Sequence, residues 1–245
     1  MMQSWGYGVK WSKIEPIEQK TIIIVCTGPS LEGFDFNLIK NSDYYVIAVN
    51  DAAKYVPFAH AWFTLDPWGL TTTQIPRNCK SKLYAAIPED YGTEDAKITN
   101  HKVIPNRNIH YLHRIPHSTN EYHRIREYHI VGLNEDPSCI MTGNSGYGAL
   151  NLAYHMYPEK VIYLGLDASS GYFFDKNKAT RSLLHLNDMF ASAIPQLTKR
   201  GIEVINASED SNVKCFPRCN PTDYFNPPDD HKSKIVRPLA STKTR

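Results

Sequence analysis

Hydrophobic positions in this chain fall in short continuous runs rather than strict alternation. Ile22, Ile23, Ile24 and Val25 make one β-branched run, the pattern of a parallel strand covered on both faces. The run stops at Thr27-Gly28-Pro29-Ser30, where glycine and proline punctuate it. The pattern then predicts a short helix through Phe36 to Lys40 and strands over Tyr44 to Val49, Ala61 to Leu65 and Lys82 to Ile87. After Cys139 the order resumes: a Gly-rich turn over Met141 to Gly148, a small-residue helix over Ala149 to Tyr157, and a strand over Val161 to Leu166. Thr180 to Lys199 has helical spacing interrupted by Pro195, and Ile202 to Ile205 is a last strand. Together these elements predict an α/β, Rossmann-like fold, a mostly parallel twisted sheet flanked by helices.

Between about Ile98 and Asp136 the periodicity weakens and the composition shifts. His110, His113, His117, His123 and His129 lie there with Arg107, Arg114, Arg124 and Arg126. The expectation is a lid or insertion over 98–136 that faces an anion, with Arg124 and Arg126 as phosphate-facing residues; the histidine spacing matches no compact metal motif. Residues 1–20 read as an N-terminal arm, 21–224 as one nucleotide-binding domain carrying the lid, and 225–245 as a basic tail. That tail, through HKSKIVRPLASTKTR, is a candidate nucleic-acid contact.

Charge adds little to this picture. In 245 residues, 27 Lys+Arg against 25 Asp+Glu leave +2, so no global field favours nucleic acid or membrane. With 42% apolar residues the chain can bury a sizeable core. No apolar run approaches the roughly 20 residues of a membrane span, and MMQSWGYGVKW lacks the order of a signal peptide, so a cytoplasmic protein is expected. Five scattered cysteines argue against a disulfide framework, and Cys215 with Cys219 is only half of a metal site. A homo-oligomer is the expected assembly.

Candidate chemistry gathers at strand ends. Thr27, Gly28, Pro29 and Ser30 follow the first strand, where a glycine admits a ligand close to the backbone and a helix start favours an anion, so this turn is expected to cradle phosphate. An ordinary capped turn is the alternative. Neither GxGxxG nor GxxxxGK[ST] occurs. Thr142, Gly143, Asn144, Ser145 and Gly146 precede the small-residue helix and form a second candidate anion or ribose site. Asn50 and Asp51, Asp66 and Asp167 end three further strands and are expected to converge in the ligand crevice. Asp167 could hold a ribose hydroxyl, bind a metal, or cap Ser169-Ser170; if a metal is used, Asp66 or Asp167 is its candidate ligand. His185 is a candidate general base, with Arg181 and Asp188 four and three residues away on one predicted helix and Arg181 suited to phosphate; a plain polar helix face is the alternative.

These motifs resemble those of bacterial sialyltransferases of glycosyltransferase family 42. The resemblance rests on Gly28-Pro29-Ser30-Leu31, Asn50, Thr142, Ser145-Gly146-Tyr147 and Gly165-Leu166-Asp167 and spans about Ile22 to Ile205. Similar patterns occur in tailed-bacteriophage proteins and, more distantly, in 6-hydroxymethylpterin diphosphokinases. The resemblance implies a Rossmann-like domain with a lid and a glycosyltransferase using a CMP- or UDP-linked sugar as donor and a hydroxyl acceptor, with no cofactor or metal required. It implies that Gly28, Ser30, Asn50, Ser145 and Gly146 hold the nucleotide, His185 is the base, and Tyr172 is the one nearby phenol for phosphate. Asn144, inserted between Gly143 and Ser145, departs from the family pattern. The pterin-kinase likeness implies instead ATP-dependent diphosphoryl transfer with Mg²⁺. A third reading is a non-catalytic nucleotide-binding accessory of a phage or a DNA-modification pathway, located in the host cytoplasm if the chain is viral.

Overall fold

The computed structural model describes residues 10–41, 43–65, 80–88, 109–115, 131–141, 143–175, 183, 185–226 and 235–238. Eight strands, β1 (Thr21–Val25), β2 (Tyr44–Val49), β3 (Ala61–Thr64), β4 (Lys82–Ile87), β5 (Ile109–Ile115), β6 (Cys139–Met141), β7 (Lys160–Leu164) and β8 (Glu203–Ala207), form one sheet. Every pairing is parallel, and the spatial order is β6-β5-β4-β3-β2-β1-β7-β8. The chain is thus a doubly wound, Rossmann-like α/β fold.

The unbroken apolar run of β1 is explained by its place near the middle of the sheet. Ile22 and Ile24 enter one core, while Ile23 and Val25 enter the other. On the first face lie α1 (Ser145–His155), α2 (Leu186–Ser192) and α3 (Ile194–Lys199), which contribute Tyr147, Leu150, Tyr154, Phe190 and Leu197. On the second face, among the described residues, single 3-10 turns supply Leu31, Ile39, Ala52 and Ala53. A short helix, α4 (Pro221–Phe225), sets Phe225 against Phe34 and Tyr44 on that side.

Several boundaries differ from the sequence expectation. The segment Phe36–Ile39 is a 3-10 turn capped by Asp35 rather than an α-helix. The small-residue helix starts at Ser145, four residues early, because Asn144 caps it. The helix expected over Thr180 to Lys199 is two helices in its described part, α2 and α3, with Ala193 at the junction and Pro195 in the first turn of the second.

The largest difference falls inside the expected lid. Residues Ile109–Ile115 are a strand paired with β4 and β6, so this part of 98–136 belongs to the sheet. Its polar side chains are accommodated one by one. Trp11 of the arm stacks on His113 at 3.9 Å, and buried Arg114 donates to the Leu65 carbonyl at 3.1 Å. The arm also lines β5 directly, with Ser12 N–H donating to Tyr111 O at 2.8 Å. Residues 116–130, with Arg124 and Arg126, lie outside the described residues.

Candidate functional site

From β1 the chain steps outward through β2 to β6 on one side, whereas β7 and β8 lie on the other, so the winding reverses between β1 and β7. In open α/β sheets ligands bind outside the carboxyl ends of the strands at such a switch point. The segments leaving here are Cys26 to Leu31 and Gly165 to Ala168.

The two segments are laced together. Gly28 N–H donates to Gly165 O at 2.9 Å, and Ser30 N–H donates to Asp167 Oδ2 at 2.9 Å. Gly28 is needed for this approach: a Cβ there would lie 2.0 Å from Asp167 Oδ2 and 2.5 Å from Gly165 O. Gly165 itself sits at φ +70°, which admits glycine readily. The Ser30 hydroxyl pairs with the Ser208 hydroxyl at 2.9 Å, bringing in the end of β8. These contacts change the reading of the turn. Pro29–Leu31 is one 3-10 turn whose Gly28 and Ser30 amides are engaged within the protein, so it is not an open phosphate cradle. Asp167 caps this turn rather than Ser169-Ser170.

Asn50 ends β2 with φ +52°, a conformation rare for residues other than glycine and most tolerated by Asn. Two side chains of β3 hold it there. Trp62 Nε1 donates to Asn50 O at 2.7 Å, and Thr64 Oγ1 donates to Asn50 Oδ1 at 2.7 Å. Asp51 pairs with Lys54 at 3.1 Å within the following turn. Above β1, the strap after β7 leans toward this turn: Phe173 N–H donates to Thr27 O at 3.1 Å. Tyr172, Phe174 and Tyr55 stack in series at 5.3 and 5.2 Å, tying the strap to the segment after β2.

The second motif abuts the first. A Cβ on Gly146 would meet Cys26 Sγ at 3.5 Å and Asn144 Oδ1 at 3.0 Å, and Tyr163 Oη donates to Gly146 O at 2.9 Å. Gly143 has φ +109°, and Asn144 Oδ1 accepts from Gly146 N–H at 2.7 Å and Tyr147 N–H at 3.4 Å. Asn144 therefore spends its side-chain oxygen on the helix start, while half-buried Ser145 occupies the first helical position. Burial, with Asp167 nearby, pushes the Cys26 thiol up to about 12, so it is a packed neutral group.

His185 occupies the position before α2, half-buried, with its carbonyl accepting from Met189 N–H at 3.1 Å. His185 has helical backbone geometry as the N-terminal neighbour of α2, and Asp188 follows three residues later in its first turn. Asp66, Thr142, Arg124, Arg126 and Arg181 lie outside the described residues. Cys215 packs against one core and Cys219 belongs to the other. Among the described residues no group of three His, Cys, Asp or Glu is arranged to hold a metal ion. Sequence reasoning missed Ser208 and Tyr55 as parts of this region, and named Gly165 only within the Gly165-Leu166-Asp167 motif. Ser208 was discoverable as the polar residue following the β8 run; Tyr55 shows only once the strands are ordered.

Strand order and these contacts together define a doubly wound α/β fold with hydroxyl- and carboxylate-bearing residues gathered at its switch point. No protein-family model matches the chain, and no curated protein matches it. Among solved structures it is similar to the sialyltransferase CstII from Campylobacter jejuni, determined in complex with the substrate analogue CMP-3FNeuAc. The identity is 14% and the TM-score 0.43, over 91% of this chain and 93% of that one. No helix among the described residues is long and apolar enough to cross a membrane.

Proposed function

We propose that the crevice binds a nucleotide-sugar and that the protein is a glycosyltransferase moving the sugar to an acceptor hydroxyl. One observation carries the reading: Gly28 and Ser30, Asp167 and the Gly146 helix start, far apart in sequence, meet at the switch point, with Asn50 at the end of the adjoining strand β2. The set suits a nucleoside, since it offers hydroxyls, an amide and a carboxylate around a glycine-lined floor. In the reaction, the acceptor oxygen bonds to the anomeric carbon as the bond from that carbon to the phosphate oxygen breaks. The leaving phosphate takes the electron pair, and His185 takes the acceptor proton. Tyr172 and the basic residues Arg124, Arg126 and Arg181 are the proposed groups steadying the leaving phosphate.

A thermal-shift screen of CMP-, UDP-, GDP- and ADP-linked sugars beside ATP with Mg²⁺ tests the reading, because a ligand selective for the folded state raises apparent stability. One class of sugar nucleotide is expected to stabilise the protein and to release free nucleotide when an acceptor is present. A response to ATP with Mg²⁺ alone would replace the reading with diphosphoryl transfer. Tight nucleotide binding without turnover would replace it with an accessory role. A His185→Ala variant with undiminished turnover would remove the proposed base.

A further inference from the structure

The first strand's turn has the composition of a phosphate loop, yet its hydrogen bonds are those of a turn already holding an anion. Ser30 N–H is bound to Asp167 Oδ2, Gly28 N–H to Gly165 O, and Leu31 N–H to Gly28 O at 3.3 Å. A phosphate needs such amides free and needs no carboxylate beside them. The glycine that would let a phosphate approach is used to let Asp167 approach, since any side chain at Gly28 would overlap its carboxylate.

We propose that Asp167 makes this turn a subsite for a neutral vicinal diol, the ribose of the nucleotide, and that the phosphates lie elsewhere in the crevice. This rests on the nucleotide reading above. Asp167 is only 7% exposed, and one carboxylate oxygen is committed to Ser30. Among the described residues its other oxygen, Oδ1, has no hydrogen-bond partner, and it is not among the atoms sealed from solvent without one. A buried carboxylate with an open oxygen calls for donors. Two adjacent hydroxyls supply them without adding charge, and each bond is charge-assisted. The position fits a nucleoside. β1 alone separates β7 from β2, so Asp167 and Asn50 leave strands about 9.5 Å apart, two strand spacings. A nucleoside laid across the end of β1 spans that distance, with ribose at Asp167 and base toward Asn50. The Asn50 oxygen is taken by Thr64, which leaves the amide NH₂ to recognise a base acceptor.

The test is calorimetric titration of the four ribonucleosides, their 2′-deoxy and 3′-deoxy analogues, and inorganic phosphate and pyrophosphate. The full chain is titrated as wild type and as Asp167→Asn. Asparagine keeps an oxygen for Ser30 N–H while replacing the open oxygen or its charge. A ribonucleoside is expected to bind wild type, each deoxy analogue at least about tenfold more weakly. Asp167→Asn is expected to lose that discrimination, and phosphate is not expected to compete with the nucleoside in wild type. Equal binding of ribo and deoxy forms to wild type, or displacement of the nucleoside by phosphate, would overturn the subsite while leaving the nucleotide reading intact. Binding by no nucleoside, with no sugar nucleotide binding either, would overturn both. The wild-type comparison alone decides the matter if Asp167→Asn does not fold.

Discussion

Acidification should weaken this fold through one buried histidine, and the structure gives the size of the effect. His155 ends α1 at 2% exposure, with Nε2 at 3.1 Å from Asn151 Nδ2. The amide orientation of Asn151 is fixed by its other bonds. Its oxygen accepts from Asn134 N–H and Met141 N–H, both at 2.9 Å, and its nitrogen donates to Asn134 O at 3.1 Å. His155 must therefore accept at Nε2 and carry its proton on Nδ1, toward the Cys139 main chain. Protonation would put two donors face to face inside the core. Burial first, and Arg200 second, lower its pKa from 6.5 to about 4. The unfolded chain takes up this proton near 6.5 and the folded chain only near 4, so stability falls as pH drops through that window and the loss is complete below it. The full loss is about 3 kcal/mol at 1.36 kcal/mol per pH unit, and about 2 kcal/mol of it is reached between pH 7 and pH 5. That is a large share of a typical domain's stability. Urea denaturation of wild type and His155→Gln at pH 7 and pH 5 measures it. Glutamine can accept from Asn151 but cannot titrate, and Glu135 and Asp136, whose carboxyls are held below their usual range by hydrogen bonds, lose their contribution only at lower pH. Equal pH slopes for the two proteins would show that His155 does not carry the effect.

Three further outcomes follow from the crevice and its supports. Gly28→Ala should displace the Asp167 carboxylate, since the new Cβ would lie 2.0 Å from Oδ2, and should destabilise by about 1–3 kcal/mol in urea midpoint measurements; a wild-type midpoint would contradict the packing. Asn144→Ala removes the cap from two α1 amides and should lower stability by about 1 kcal/mol, with Asn144→Asp retaining most of it. Cys26, with its thiol pushed up to about 12, should react with iodoacetamide at pH 8 at least about a hundredfold more slowly in the native protein than in urea, as read by peptide mapping. Rapid native alkylation would show that the thiol is not packed as described.

Six of the eight strands were legible because their apolar runs are continuous, which is what burial on both faces of a parallel sheet imposes. β5 was not, since IHYLHRI carries two histidines and an arginine whose suitability for a strand depends on distant partners, Trp11 for His113 and Leu65 O for Arg114. β6 is three residues long, too short for any period to register. The helix start is displaced for a related reason: it is set by the Asn144 cap, which apolar periodicity does not register.

Local patterning and chain punctuation were enough to give the α/β class, most strand positions and the collection of polar residues at strand ends. How those residues are used depends on contacts between distant segments. Gly28, Pro29 and Ser30 spell an anion turn in one dimension, but the partner of the Ser30 amide is a carboxylate 137 residues away, delivered by the parallel pairing of β1 with β7. A hydrogen bond formed across adjacent strands leaves no signature near either residue. The turn's chemistry, carboxylate-filled rather than open, was therefore set by strand order, which the local pattern does not encode.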